Sequence, residues 1–275
     1  MNIIQRNFFR LIRYSTSDIE EQIEPMSVFK WEQLYQLALM HDVAETVYEG
    51  LEKSRNQFFL HQTDQQWERW KKTAEDLRKH PRNDDAEEDE FLRADHLTNP
   101  LLNRKLQSIL DDEHSDIQTR RLLLDIISVS RHILNEGQPV RQLINLGEEL
   151  RQQAGRIDTT TLGKWIKSLK MEQVAAFEGA LLMELLHFKQ EEIPFAGTKA
   201  RHVEQMAQEL IEFTNTRAAD FYFSQDGNAI FVHTSNGSAM LGHIRRSAHY
   251  FRYYPSETLT NFFVSFAHSL THIEE

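Results

Sequence analysis

The chain contains no cysteine, which excludes disulfides and thiolate metal centres and leaves the compartment open. Glycine and proline are scarce, at 10 and 6 of 275 residues. So few backbone breakers over this length point to long helices rather than a strand-rich fold. Long apolar runs are missing as well. No stretch reaches the roughly 18 apolar residues of a membrane span, and TLTNFFVSFAHSL near the end is short and interrupted by polar residues. The opening MNIIQRNFFRLIRYS carries Arg6, Arg10 and Arg13 where a signal peptide needs an apolar stretch. Positive charge is in deficit, with 31 Lys and Arg against 42 Asp and Glu, a net charge of −11. Such a chain is a poor general binder of nucleic acid or anionic membrane, because phosphate binding needs clustered Lys and Arg. The expectation is a cytoplasmic protein with neither nucleic acid nor membrane as partner. No Gly-rich phosphate loop and no Ser–His–Asp spacing occurs, so the residues assign no catalytic group, metal or cofactor.

What is present is helical periodicity. Phe8, Phe9, Leu11 and Ile12 predict a short amphipathic helix. Trp31 to Leu51 predicts a second, with Ser27 as its N-cap. Trp67, Trp70, Ala74 and Leu77 predict a third. Six acids between Asp84 and Glu90 then repel one another with little apolar surface to bury, which reads as a solvated linker. Leu101 to Leu110 predicts a helix, and Leu122 to Leu134 a strongly apolar one at the centre of the core. Gly137 suits a C-cap and Pro139 the first turn of the next helix, which opens with Val140, Arg141 and Gln142. Thr159 to Thr161 offers another N-cap, and AAFEGALLMELLHF a helix buried on most sides. HVEQMAQELIEF reads as one more amphipathic helix, and aromatic and β-branched residues around Asp226-Gly227 as one short β-hairpin near 219–234. The expected fold is mainly α, an irregular helical bundle or array. Its expected divisions are an N-terminal helical segment 1–80, an acidic linker 81–98 and a helical body 99–275.

Few residues suggest a site. Glu184-Leu-Leu-His187 has the Glu-x-x-His spacing of di-iron bundles, but such a site needs a second copy and two further Glu residues, and no second copy occurs. Arg245, Arg246, Arg252 and Tyr253 lie in the one basic, aromatic cluster, where Arg can grip a phosphate and Tyr can stack. An amphipathic helix with solvated arginines explains the same pattern. His132, Gly137, Arg141 and Gln142 read as a structural corner, with hydrogen bonds tying the two helices together.

LLLDIISVSRHILNEGQPVRQLINLGEEL resembles the helices that follow the catalytic domain in a large, poorly characterised bacterial nucleotidyltransferase family. The matching residues are His132, Gly137, Val140, Arg141 and Gln142. WEQLYQLALMHDVAETVYEGL, NPLLNRKLQ, LGKWIKSLKMEQVAAFEGALLMELLHFKQEEIPF and RRSAHYFRYYPSE resemble other parts of that family in the same order.

The resemblance implies a Gly-Ser pair for a triphosphate and a downstream Asp-x-Asp for two divalent metals. Neither stands in the expected interval, which holds only the third helix, the acidic stretch and one short helix. Gly237-Ser238 is the sole Gly-Ser pair, and no acid follows it before Glu257. Glu87-x-Asp89 lies in the charged stretch, and Asp111-x-Glu113 closes a helix. The chain therefore resembles the helical scaffold of a nucleotidyltransferase without its catalytic palm. Three readings stand open: a non-catalytic scaffold or regulator whose protein partner covers the surface a palm would occupy, a nucleotide or small-molecule binder using the Arg245–Tyr254 region, and a transferase with an unrecognised site.

Overall fold

The computed structural model describes residues 1–17, 19–57, 62–80, 92–135, 140–195, 250–251 and 253–271. Among the described residues there are ten α-helices and one 3-10 turn, with no strand, so the fold is mainly α. The helices are α1 (Ile3–Thr16), α2 (Val28–Met40), α3 (Ala44–Lys53), α4 (Asp64–Lys79), α5 (Pro100–Leu110), α6 (Ile117–Asn135), α7 (Val140–Gln152), α8 (Thr159–Ser168), α9 (Glu172–Leu186) and α10 (Pro255–Thr271). The 3-10 turn spans Gln190–Glu192. The hairpin expected near 219–234, the helix expected over 202–213, and Gly137 and Pro139 lie outside the described residues.

Local chemistry sets the helix starts. Asn2 with Gln5 and Thr63 with Gln66 form capping boxes on α1 and α4, each satisfying two otherwise unpaired backbone donors. Ser27 caps α2 as expected, and Asn99 caps α5 ahead of Pro100. The cap of α8 is Asp158 rather than Thr159–Thr161, because its carboxylate accepts from the backbone N–H groups of both Thr160 and Thr161 at 3.0 Å. The single helix expected from Trp31 to Leu51 is two. At the break, the Val43 N–H reaches back to Ala38 O (2.9 Å) and the Asp42 N–H to Leu39 O (3.1 Å), with Asp42 at φ 54. That is a Schellman ending, which periodicity alone cannot distinguish from a continuing helix. Lys170 ends α8 in the same way, at φ 56.

One apolar core takes in the described helices on both sides of the acidic stretch. Phe8, Leu11, Trp31, Leu51, Leu122, Ile127, Leu146 and Leu181 all belong to it. The approach of α1 to α3 depends on Gly50, where a Cβ would stand 2.1 Å from the Leu11 carbonyl oxygen. Polar contacts also join the N-terminal helices to the body. The Arg13 guanidinium donates to Leu185 O at 3.0 Å, and Arg151 donates to Thr16 O at 2.9 Å. Of the expected linker, residues 81–91 lie outside the described residues, whereas Leu97 is buried in the core. None of the helices described is long and apolar enough to cross a membrane.

Candidate functional site

The expected corner between α6 and α7 is partly present. His132 is buried, its Nδ1 lies 2.9 Å from Ser128 O, and its Nε2 lies 2.9 Å from the Gln142 amide nitrogen. A carbonyl can only accept, so Nδ1 carries the proton and Nε2 accepts from Gln142. Nδ1 is thus held within α6, and Nε2 joins α6 to α7. Arg141 forms an ion pair with Asp42 in the α2–α3 turn. Gly137 is outside the described residues. So are Arg245, Arg246 and Arg252 of the expected basic cluster. Tyr253 is half-buried, its ring 4.9 Å from that of Phe177.

The strongest concentration of buried polar chemistry was not apparent from local sequence patterns. Arg131 of α6 and Glu257 of α10 form an ion pair at 2.9 Å, with both side chains sealed from water. Glu257 sits in the first turn of α10, where an acid also meets the positive end of the helix dipole. Its Oε1 accepts from the Thr98 N–H (2.6 Å) and the Thr98 hydroxyl (2.8 Å), and its Oε2 from the Asn99 N–H (3.0 Å). The Asn261 amide donates to Asn135 Oδ1 at 2.8 Å, and the Asn135 amide donates to Arg131 O at 2.9 Å. The carboxylate thus has four donors and joins α5, α6 and α10. Saturated in this way, it has little left to offer a ligand, and its chemistry is that of a fastener.

Beside this network stand groups that burial keeps out of their charged forms. Glu178 of α9 is fully buried, and both its carboxyl oxygens lack a hydrogen-bond partner among the described residues. Burial pushes its carboxyl well above the usual range. Burial also raises the Tyr254 hydroxyl, which donates to Leu169 O at 3.2 Å. Between α6 and α7, burial and the neighbouring Glu149 raise the Asp125 carboxyl to about 7. Among the described residues, no three His, Asp or Glu side chains converge to hold a metal ion.

Among the described residues, open clefts lie on the surface. One of about 230 Å³ is lined by Asp42, Glu45, Arg141, Asn145 and Glu148, but its charges are largely answered. Arg141 pairs with Asp42 there, and Arg78 pairs with Glu45 at 2.7 Å. Another, about 340 Å³, lies between Arg151, Gly155, Thr159 and Glu191. Arg151 is already engaged by Thr16 O and by the Phe188 ring 4.2 Å away.

The remaining feature is the first part of α10, where polar side chains turn inward and several apolar ones outward. Glu257, Thr258 and Asn261 face the interior, while Leu259, Phe263 and Val264 are 48%, 58% and 44% exposed. Leu101, near the start of α5, is 75% exposed and lies three residues beyond Thr98, whose hydroxyl meets that of Thr260 at 3.0 Å. No protein-family model matches the chain, and no curated protein or solved structure matches it either.

Proposed function

We propose that the chain is a non-catalytic interaction protein, a scaffold or regulator built on the helical parts of a nucleotidyltransferase-like protein without the catalytic palm. The observation that carries this reading is the reversed polarity of α10. Glu257, Thr260 and Asn261 are engaged in internal bonds, and Leu259, Phe263 and Val264 face water. About half exposed, each of these three forgoes roughly 1 kcal/mol, about half of what full burial gives. Exposed apolar side chains grouped on one helix are a feature of surfaces that meet a partner. The scaffold part of the reading rests on the short interval between α3 and α6, which contains α4, the acidic stretch and α5.

The test is to incubate the chain with labelled nucleoside triphosphates, Mg²⁺ or Mn²⁺, and candidate acceptors. The expected result is no transfer above background. Turnover that disappears when a carboxylate is replaced overturns the reading.

A further inference from the structure

We propose that the polar seam between α6 and α7 is a binding site for a hard divalent cation, Ca²⁺ before Mg²⁺, held by the Asp125 and Glu149 carboxylates and the Gln153 amide oxygen. The inference goes beyond the interaction reading above and does not depend on it.

The end of α6 meets the start of α7 where His132 bonds Gln142, and the first half of α6 meets the end of α7 where Arg121 stands 3.6 Å from Glu149. The two helices therefore run antiparallel along the seam. On α6, Asp125 follows Arg121 by four residues and precedes His132 by seven. On α7, Glu149 follows Gln142 by seven and precedes Gln153 by four. Steps of four and seven keep residues on one face of a helix, so both stripes face the seam. The helical bonding of α7 extends to Gln153, whose N–H donates to Glu149 O at 2.9 Å. Asp125 stands opposite Glu149, close enough for the two charges to act on each other. Gln153 lies about one turn further along.

At the His132 end the seam is hydrogen-bonded, but at the Asp125 end acceptors outnumber donors. Glu149 is only 5% exposed, and its Oε1 has no hydrogen-bond partner among the described residues. The buried Oε1 of Gln153 has none either. Arg121 stands 3.6 Å from Glu149 Oε2, beyond hydrogen-bond length, and its side chain is 66% exposed. One solvated guanidinium thus faces two carboxylates, an arrangement that buries negative charge without enough to answer it. The oxygens select the occupant. Water brings donors but no charge. A proton neutralises one carboxylate and leaves the Gln153 oxygen without a donor. A divalent cation answers all three groups, because carboxylate and amide oxygens, completed by water, are the ligands that hard cations take. Softer metals lack ligands here, since the chain has no cysteine and both nitrogens of His132 are engaged. Ligands fixed on two helices suit the flexible shell of Ca²⁺ better than the strict octahedron of Mg²⁺. Arg121 turns further into water as the ion enters, and the ion ties α6 to α7.

The experiment strips the full chain with a chelator and titrates it with CaCl₂ or MgCl₂ at constant ionic strength and about pH 8, where carboxylates are ordinarily ionised. Calorimetry and thermal melting are read at each concentration. A Ca²⁺ dissociation constant below about 1 mM is expected, with Mg²⁺ at least about tenfold weaker. The melting temperature should rise by about 5 °C or more once Ca²⁺ exceeds that constant about a hundredfold. Asp125→Asn and Glu149→Gln should each weaken Ca²⁺ binding by at least about tenfold. Asp125→Asn relieves the repulsion of the carboxylate pair, so in chelator it should melt no lower than the parent, which separates lost binding from lost folding. Glu113→Gln removes an exposed acid elsewhere and should leave Ca²⁺ binding unchanged, which separates a site from diffuse attraction to a chain of net charge −11. No heat and no melting shift up to about 10 mM Ca²⁺ overturns the inference and leaves a proton as the occupant of the pair. So does a shift that survives Asp125→Asn and Glu149→Gln, or one that Glu113→Gln reduces as much as they do.

Discussion

Glu257 and Arg131 are 126 residues apart in sequence and meet at 2.9 Å with no solvent between them. Removing one charge of a sealed pair leaves the other buried and uncompensated. Glu257→Gln should therefore cost on the order of 3–5 kcal/mol in chemical denaturation, and Arg131→Met a similar amount. The double variant should cost clearly less than the sum of the two. Simple additivity would mean that the pair does not act as a unit.

His41 and Asp125 predict opposite responses to pH. Burial lowers the His41 imidazole to about 3 from an ordinary 6.5. Neither ring nitrogen has a hydrogen-bond partner among the described residues, and the ring centre lies 5.6 Å from that of Phe8. The folded chain holds this histidine neutral, whereas the unfolded chain protonates it below 6.5. Its contribution is therefore complete above 6.5 and lost as the pH falls towards 3. Asp125 has the opposite sign, with its folded value near 7 above an ordinary 3.8. Its contribution is complete below 3.8 and lost as the pH rises through 7. Asp125→Asn should flatten the fall in stability between pH 4 and 7. It should leave the protein more stable at pH 8 by on the order of 2 kcal/mol, about half the unit-for-unit value once residual solvation is allowed for. Denaturation of the variant and the parent across this range checks both sign and window. An unchanged slope refutes the assignment.

Glu178 gives a cleaner version of the same argument. The carboxyl has no partner among the described residues, and burial keeps it protonated, so the folded chain holds a proton that the unfolded chain releases above its ordinary pKa of 4.5. Glu178→Gln keeps the shape and removes that proton uptake. The variant should be at least as stable as the parent at pH 7 and should lose its advantage near pH 4. Destabilisation at pH 7 would mean that Glu178 is charged and paired.

The helices and their apolar faces were legible in the sequence because their information is local. Phe8, Phe9, Leu11 and Ile12 repeat at helical spacing, and all four are buried. Breaks were less legible. Asp42 and Lys170 end helices in a left-handed conformation that glycine favours, and neither residue advertises it. Least legible was the Arg131–Glu257 network, which joins Thr98, Asn135 and Asn261 across the chain. No spacing rule connects residues that only tertiary packing brings together. The polarity of α10 was hidden for the same reason. A sequence pattern shows that a helix has two faces, but not that Glu257 will meet Arg131 on the inward one.

The Asp42–Arg141 pair separates a charge effect from a backbone effect. The two side chains are 23% and 29% exposed, and they link the α2–α3 turn to the first turn of α7. Asp42 also carries φ 54, which costs a residue with an ordinary Cβ roughly 1–2 kcal/mol and an Asn or Asp less, because a short polar side chain bonds locally. Asp42→Asn removes the charge and keeps that tolerance, so it should cost about 1 kcal/mol, as a partly screened pair does. Asp42→Ala loses both and should cost about 1 kcal/mol more than the asparagine variant. Arg141→Ala should match Asp42→Asn in size, and combining them should add little. Thermal and denaturant unfolding of the four variants checks the order. If Arg141→Ala left stability unchanged and instead abolished binding of a partner or ligand, the 230 Å³ cleft it lines would be a binding site, and Arg141 would not be a structural tie.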